Sequence, residues 1–221
     1  MQVFMKENNI FFNNFYEKSL IPFWLQTAPR LFRRFKVILI LFFACMSFSC
    51  VSTGFNGEME KPSVVIYTDG IKSAAELYSF FMENNPSADR AKIKRLSELY
   101  VSEARFEGIN SDAAFVQMCL ETGFLRFGGL VTEEMNNFCG LGAIDENQRE
   151  NSFATEQLGV RAHIQHLKAY GTADPLNGEC VDPRYKYVNP KGKAPTVFEL
   201  SGTWAADPDY GKKIAALLER L

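Results

Sequence analysis

The sequence is poor in several features whose presence marks common protein classes. Two of its 221 residues are histidine, His163 and His166, and two are tryptophan. Its uncharged apolar run Val37–Met46 has ten residues, whereas a membrane-spanning helix requires roughly 20. No internal repeat and no low-complexity tract is present. A spanning helix is therefore not expected from this run, and a histidine-rich metal centre has few candidate ligands.

An excess of basic residues is also lacking. The first 50 residues hold six Lys/Arg and two Asp/Glu, so residues 51–221 carry 18 basic and 24 acidic side chains, a net charge of −6. Proteins that bind nucleic acid usually present a basic face to the phosphates. The acidic balance therefore argues against nucleic acid as a partner. The roughly 170 residues that remain suffice for one domain with a proper core.

The N-terminal part has the organisation of an export signal. A basic cluster from Arg30 to Lys36 precedes the apolar run, whose length is typical of a secretory signal. The sequence Ser47-Phe-Ser-Cys50 that follows resembles the cleavage site of a bacterial lipoprotein, although an aliphatic residue is usual where Ser47 stands. We therefore expect export and a lipid on Cys50 that anchors the protein to a membrane facing the periplasm or the cell surface. Cleavage without acylation remains an alternative.

These features predict three parts of the chain. Residues 1–49 are expected to be an N-terminal extension and lipoprotein-type signal, residues 50–70 a tether, and residues 71–221 a catalytic domain. In the tether, Gly54, Gly57 and Pro62 stand among alternating charges, which is typical of a linker.

The pattern after residue 70 is mainly helical, because apolar residues recur every three or four positions in five stretches. The five helices are expected from Ala74 to Met82 with Ser73 as cap, from Ser87 to Phe106, from about Ser111 to Glu121, from Thr155 to Tyr170, and from Asp207, as N-cap with Pro208 at N1, to Leu221. Five glycines between Thr122 and Ala154 predict loops, or a small β-structure, that form a cleft wall. The expected fold class is therefore α+β and mostly helical.

Glu121 is the residue that we expect to carry the chemistry. It ends an apolar helical run and is followed at once by Thr122 and Gly123, and this glycine can stop the helix and open space beside the acid. Burial and the negative end of the helix dipole both raise the pKa of a carboxyl group at this place. A carboxyl that is protonated near neutral pH is what a general acid for glycosidic cleavage requires.

Four segments together resemble the bacterial endo-β-N-acetylglucosaminidases that cut peptidoglycan, a glycoside hydrolase family with a glucosaminidase domain. These segments are Glu107–Gly123, Asn136–Gly142, Gly159–Tyr170 and Gly202–Ile214. The resemblance covers roughly residues 71–221 and implies a lysozyme-like domain with a glycan groove, peptidoglycan glycan strands as substrate, no cofactor, and Glu121 as the catalytic glutamate.

Substrate contacts are expected from residues of these segments and from aromatic residues in sequence that is broken by Gly and Pro. These residues are Asn137, Phe138, Tyr185, Trp204 and Tyr210. The family commonly has a tyrosine where Trp204 stands, and an indole can also stack on the apolar face of a sugar.

A second catalytic group is not singled out by any motif. The candidate carboxylates near the expected cleft are Glu133, Glu134, Asp145, Glu146, Glu150 and Glu156, of which we rank Glu156 and Glu146 first. Asp182 could hold a loop or touch substrate. The N-acetyl group of the sugar can also act as nucleophile, in which case no second carboxylate attacks.

Other arrangements of reactive side chains were weighed. His163 and His166 share a helix face but have no further ligand at metal-binding spacing. A cysteine peptidase that uses Cys119 or Cys139 with His163 is disfavoured, because neither thiol lies where a helix dipole would lower its pKa. In an exported protein we expect a disulfide between Cys139 and Cys180, with Cys119 buried and free. Three functions remain open: a glucosaminidase, a lytic transglycosylase on the same fold, and a non-catalytic glycan-binding envelope lipoprotein.

Overall fold

The structure, a computed structural model, describes residues 60–128, 131–142 and 151–221. These residues belong to one compact unit that spans Gly57–Leu221. Its α-helices are α1 (Ala74–Asn84), α2 (Arg90–Glu107), α3 (Ser111–Thr122), α4 (Glu156–Gly171) and α5 (Tyr210–Arg220). Short 3₁₀ helices lie at Glu133–Met135, Tyr185–Tyr187 and Val197–Leu200.

Hardly any β-structure accompanies these helices. Across the described ranges, strand pairing is limited to two isolated bridges, Val65 with Thr196 and Ser201 with Ala205. The mostly helical prediction is therefore confirmed, whereas the small β-structure expected in the cleft wall is not found there. No helix in the described part of the chain is both long and apolar enough to cross a membrane.

Helix α3 is the centre of the core. Ten of its twelve residues are buried, and it packs against all four other helices. Phe115, which is fully buried, meets Phe81 of α1 and Tyr100 of α2 edge-on, with ring centroids 6.3 and 5.5 Å apart. Such edge-to-face pairs add stability beyond the area that they bury. A helix buried on nearly all sides fixes the position of whatever its C-terminus carries.

Most helix ends follow the sequence expectations. Ser73 caps α1 and Thr155 caps α4 through their side chains, and Asn110 caps α3. Gly108 and Gly123 end α2 and α3 with left-handed φ values of 75° and 58°, a conformation that glycine adopts at little cost.

Two helices begin later than expected. Helix α2 starts at Arg90, because Asp89 rather than Ser87 accepts hydrogen bonds from the first free amides. Helix α5 starts at Tyr210 instead of Pro208. Asp207 is used in a turn before the helix, where its carboxylate accepts a hydrogen bond from the amide of Asp209 at 2.9 Å.

The folded part begins before the expected boundary at residue 71. Ile66 is fully buried in the core, and the side-chain amide of Asn110 donates hydrogen bonds to the carbonyl oxygens of Ser63 and Val65 at 2.8 and 2.9 Å. Residues from 63 onward therefore belong to the folded unit and are not a tether.

The expected disulfide is not formed. Cys139 is a buried free thiol and Cys180 is an exposed free thiol, so this prediction is wrong. Cys119 is buried and free, as expected. Cys139 packs with Leu141 and Ala162 in a small apolar cluster, where it acts as a compact hydrophobic side chain.

A buried ion pair fastens the irregular segment that follows α4. Lys168 of α4 donates to Glu107 at the end of α2 over 2.9 Å, and both side chains are 1% exposed. Glu107 also accepts a hydrogen bond from the backbone amide of Asn177 at 2.8 Å. Because each buried charge has a partner of opposite sign, the ion pair and its backbone hydrogen bond hold the segment to the helices.

Breaking this pair is expected to destabilise the protein strongly. Lys168→Met leaves the Glu107 carboxylate buried without its cation, which costs about 3–5 kcal/mol. Urea unfolding measures this loss. The matched control is Lys212→Met, whose exposed pair with Asp209 contributes at most about 1 kcal/mol. Equal effects of the two substitutions would show that the buried pair does not stabilise the fold.

Candidate active site

Glu121 lies in the last turn of α3, directly before the residues that end the helix. Gly123 reverses the chain there, and Phe124, Leu125 and Phe127 also have positive φ values, of 56°, 54° and 47°. Residues with side chains adopt this conformation rarely, so the turn carries backbone strain. Thr122 supports the turn, since its hydroxyl accepts a hydrogen bond from the amide of Leu125 at 2.9 Å.

This turn forms one side of an open cavity of about 350 Å³. The cavity is lined by Glu121, Thr122, Gly123, Phe127, Gly128, Val131, Asn137 and Gly140. Glu121 is the one ionisable side chain in this described lining. The part of the cleft wall that the structure describes therefore carries a single acid.

The wall opposite the turn is positioned by a close backbone approach. A Cβ atom on residue 159 of α4 would lie 1.8 Å from the carbonyl oxygen of Asn136, so glycine is required there. Asn137 lines the cavity, but its side-chain amide is bonded within the loop, to the carbonyl and amide of Leu141 at 2.9 and 3.0 Å. Asn137 therefore shapes the wall.

Both hydrogen bonds that reach the carboxyl group of Glu121 end on the same oxygen. The indole N–H of Trp204 donates to Oε1 over 3.0 Å, and the hydroxyl of Tyr210 also donates to Oε1. An indole nitrogen can act only as a donor. Oε1 is thus occupied as an acceptor, and when the group is protonated the proton is carried by Oε2.

The pKa of Glu121 is raised above its usual value. Burial is the main cause, while the hydrogen bonds from Tyr210 and Trp204 act in the opposite direction because they stabilise the carboxylate. The side chain as a whole is exposed to solvent at the cavity, while the carboxyl group itself is crowded by neighbouring protein atoms. The carboxyl group therefore keeps its proton to a higher pH than an unperturbed glutamate does.

A chain of buried hydrogen bonds stands behind Tyr210. Its hydroxyl accepts from Nε2 of Gln117 at 3.0 Å, Oε1 of Gln117 lies 3.1 Å from Nε2 of His163, and Nδ1 of His163 lies 2.8 Å from the hydroxyl of Tyr100. Burial lowers the pKa of His163 to about 3, so its ring is neutral. With one proton on Nε2, the ring donates to Gln117 and accepts from Tyr100.

In this chain of hydrogen bonds, the donor and acceptor roles of one group determine those of its neighbour. Because Gln117 donates to the hydroxyl of Tyr210, the proton of that hydroxyl is directed to Glu121. Burial also raises the pKa of Tyr210, which keeps it a donor. Gln117 was not among the residues predicted from the sequence. Its position in an apolar run, four residues before Glu121 and so on the same helix face, was the available signal.

Trp204 packs against other aromatic rings in addition to its hydrogen bond with Glu121. Its ring lies against His166, Tyr170 and His163, with centroid distances of 5.0, 5.2 and 5.9 Å. The side chain is partly exposed. Trp204 therefore belongs both to the core edge and to the surroundings of the acid.

The remaining residues that were expected at the site do not belong to the described lining of the cavity. Phe138 is 1% exposed and belongs to the core, so the expectation of substrate contact was wrong for this residue. Glu156 forms a double hydrogen bond with the guanidinium of Arg95, at 2.9 Å for both atom pairs, and is not in the described lining of the cavity. Tyr185 packs partly buried under the amine of Lys191.

Several further candidates are either paired or outside the described part. Glu133 is bonded to Lys92 at 2.8 Å, and the buried Asp182 to Nδ1 of His166 at 2.7 Å. Asp145, Glu146, Glu150 and the expected lipidation site Cys50 lie outside the described residues.

The alternative chemistries weighed from the sequence are not supported by these contacts. Both ring nitrogens of His163 have hydrogen-bond partners, which leaves none free for a metal ion. Burial raises the pKa of the Cys119 and Cys139 thiols far above its usual value, whereas a nucleophilic cysteine requires a thiolate.

A mostly helical domain with one acid of raised pKa in an open cleft has the features of a glycoside hydrolase. Comparison with known proteins supports the same class of protein. Residues 97–221 match the glucosaminidase family, which is described as mannosyl-glycoprotein endo-beta-N-acetylglucosaminidase. A protein of Borreliella burgdorferi, described as uncharacterized, is 38% identical over 164 residues, which are 74% of this chain and 80% of that protein. No solved structure matches the chain.

The chain belongs to the glucosaminidase family. The family assignment implies a glycan substrate of the peptidoglycan type. The segments by which the sequence resembles this family include the helix that carries Glu121 and the residues Trp204 and Tyr210 that contact it.

The contacts of Glu121 predict a shift in the pH dependence of catalysis. Tyr210→Phe removes a donor that favours the carboxylate, so the pKa of Glu121 rises further and the alkaline limb of the pH–rate profile moves to higher pH. Rates measured between pH 4 and 9 test this, with Tyr78→Phe on α1 as the control that leaves the limb in place. A limb that stays or moves to lower pH would contradict the assigned bond.

Proposed function

We propose that the protein is an exported endo-β-N-acetylglucosaminidase that cleaves the glycan backbone of peptidoglycan, with Glu121 as general acid. The single observation that carries the proposal is the carboxyl group of Glu121, whose pKa is raised where it lines an open cavity. A general acid must hold its proton at the working pH and must also reach the glycosidic oxygen. A carboxyl group with a raised pKa that is open to the cleft supports both requirements.

In the proposed reaction, Oε2 of Glu121 gives its proton to the oxygen that leaves the anomeric carbon as the glycosidic bond breaks. The carboxylate that forms is stabilised by the donors already directed at Oε1, from Trp204 and Tyr210. Water completes hydrolysis at the anomeric carbon, and its proton restores Glu121.

The single acid in the described lining bears on how the anomeric carbon is attacked. An N-acetyl sugar can use its own amide oxygen as nucleophile, which requires one protein acid and no attacking carboxylate. A lytic transglycosylase also works with a single acid, but an internal hydroxyl of the sugar displaces the leaving group and an anhydro-sugar results. The same observation supports this second candidate, so the reaction products must separate the two.

The first test combines a substitution with product analysis. Glu121→Gln keeps an oxygen that accepts from Trp204 and Tyr210 but has no proton to transfer, so activity on peptidoglycan should fall by about 10²–10⁴-fold or more. Mass spectrometry of the wild-type digest should show reducing-end N-acetylglucosamine. Anhydro-sugar products would support the transglycosylase, and full activity of the variant would remove Glu121 from the mechanism.

The same variant has a stability signature that shows it is folded. A carboxyl whose pKa is higher in the folded state than in the unfolded state stabilises the fold at low pH, and this contribution is lost as the pH rises through the folded pKa. Glu121→Gln does not suffer this loss. Its melting temperature relative to wild type should therefore increase from pH 4 to pH 7, and a decrease would contradict the raised pKa.

We also propose that Cys50 carries lipid and holds the domain at a membrane. Two or more acyl chains give stable anchoring where one does not. Cys50→Ser should therefore release the protein from the membrane fraction of cells, as measured by fractionation and immunoblotting. Cys119→Ser is the control and should stay with the membrane. Complete membrane retention of Cys50→Ser would instead assign the anchor to residues 1–46.

A further inference from the structure

A basic strip lies in the segment between α4 and α5. Residues 183–198 contain four cations and no acidic residue, within a stretch of chain (51–221) whose net charge is −6. The strip consists of Arg184, Lys186, Lys191 and Lys193. Within the described residues none of the four forms an ion pair with a carboxylate. Other cations of the described part, such as Arg90 and Lys94, are also without an ion pair, but these four follow one another within ten residues with no acidic side chain between them. Such a run of positive charge favours a ligand of negative charge.

The cations of the strip lie over tyrosine rings. Arg184 and Lys186 approach the ring of Tyr187 to 4.7 and 5.1 Å from its centroid, and Lys193 approaches Tyr170 to 4.7 Å. These contacts hold long side chains in place without neutralising them. Lys191 differs, since it lies over Tyr185 and also donates to two backbone carbonyls of its own loop. Arg184, Lys186 and Lys193 are therefore the groups that can receive an anion.

The strip is continuous with the acid of the cleft. Lys193 lies over Tyr170, the ring centroid of Tyr170 is 5.2 Å from that of Trp204, and Trp204 donates to Glu121. The hydroxyl of Tyr170 is tied to the carbonyl of Thr203 at 3.1 Å, which fixes this row of rings. Lys193 is thus separated from Glu121 by the two packed rings of Tyr170 and Trp204.

We propose that the basic strip binds the free carboxylates of the peptides carried by the glycan strand, and so directs the enzyme to peptide-bearing strands. This inference rests on the proposed function. The sugars of the backbone are recognised through their apolar faces and hydroxyl groups. A row of cations is not needed to bind such neutral groups. The peptide substituents of peptidoglycan do carry carboxylates, which Arg184 can bind in bidentate fashion and lysines can bind as point charges.

The test compares two forms of one substrate. Soluble peptide-bearing strands are used as they are, and after conversion of their carboxylates to amides with carbodiimide and ammonia. The full-length wild-type protein should show a KM about threefold to tenfold lower for the untreated strands, the range expected for two partly exposed charge contacts. Arg184→Gln/Lys193→Gln should lose this difference, with kcat on the two substrates affected equally.

A matched control is available on α2. Arg90→Gln/Lys94→Gln removes one arginine and one lysine from an exposed helix face, so it changes the net charge by the same amount. This variant should keep the wild-type ratio of KM values. If the strip variant also keeps that ratio, or if both variants lose it equally, the proposal is overturned.

Binding measurements keep this inference separate from the proposed function. If the wild type cleaves neither substrate, the proposed glycosidase fails. The affinity of the protein for the untreated and the amidated strands then tests the strip by itself. Vesicles that contain phosphatidylglycerol form a third arm. Loss of vesicle binding in the strip variant, together with an unchanged ratio for the two strands, would overturn the proposal in favour of an anionic membrane surface.

Discussion

The arrangement of the site depends on one carboxyl group that lines an open cleft and accepts two hydrogen bonds on a single oxygen. Burial raises the pKa of Glu121, and the bonds from Trp204 and Tyr210 limit that rise while they fix which oxygen can carry the proton. Both donors come from the C-terminal part of the chain, more than 80 residues away. The acid is therefore incomplete until α5 and the loop before it have packed onto α3.

Hydrogen bonds inside the core also help to fix the surroundings of Glu121. Helix α3 is buried on nearly all sides, and its buried polar side chains Asp112, Gln117 and Thr122 form hydrogen bonds with groups outside the helix. The row from Tyr100 through His163 and Gln117 to Tyr210 crosses from α2 to α5 without an unpaired group at any step. A buried network of this kind is stable only when it is complete. It leaves the hydroxyl of Tyr210 one direction in which to donate.

Charge is distributed unevenly around this site. The domain is acidic, and the described lining of the cleft contributes a single carboxyl group. Four cations that form no ion pair in the described part of the chain follow one another between Arg184 and Lys193. That segment is fastened to the helices by the buried pair of Glu107 and Lys168. An irregular stretch of chain is thereby given a fixed position beside the acid, which a surface for substrate substituents requires.

The sequence by itself determined the helices, their caps and the place of Glu121 at the end of a buried helix. Periodicity, together with cap residues such as Ser73, Asn110 and Gly123, located all five helices to within about three residues, because these signals act between neighbours in the chain. Glu121 could be identified in the same way, from the end of a buried helix. The partners of Glu121, the burial of Phe138, the pairing of Glu156 with Arg95 and the unpaired state of Cys139 were decided by tertiary structure. Each depends on which distant residues come within a few ångströms, and local spacing carries no information about that.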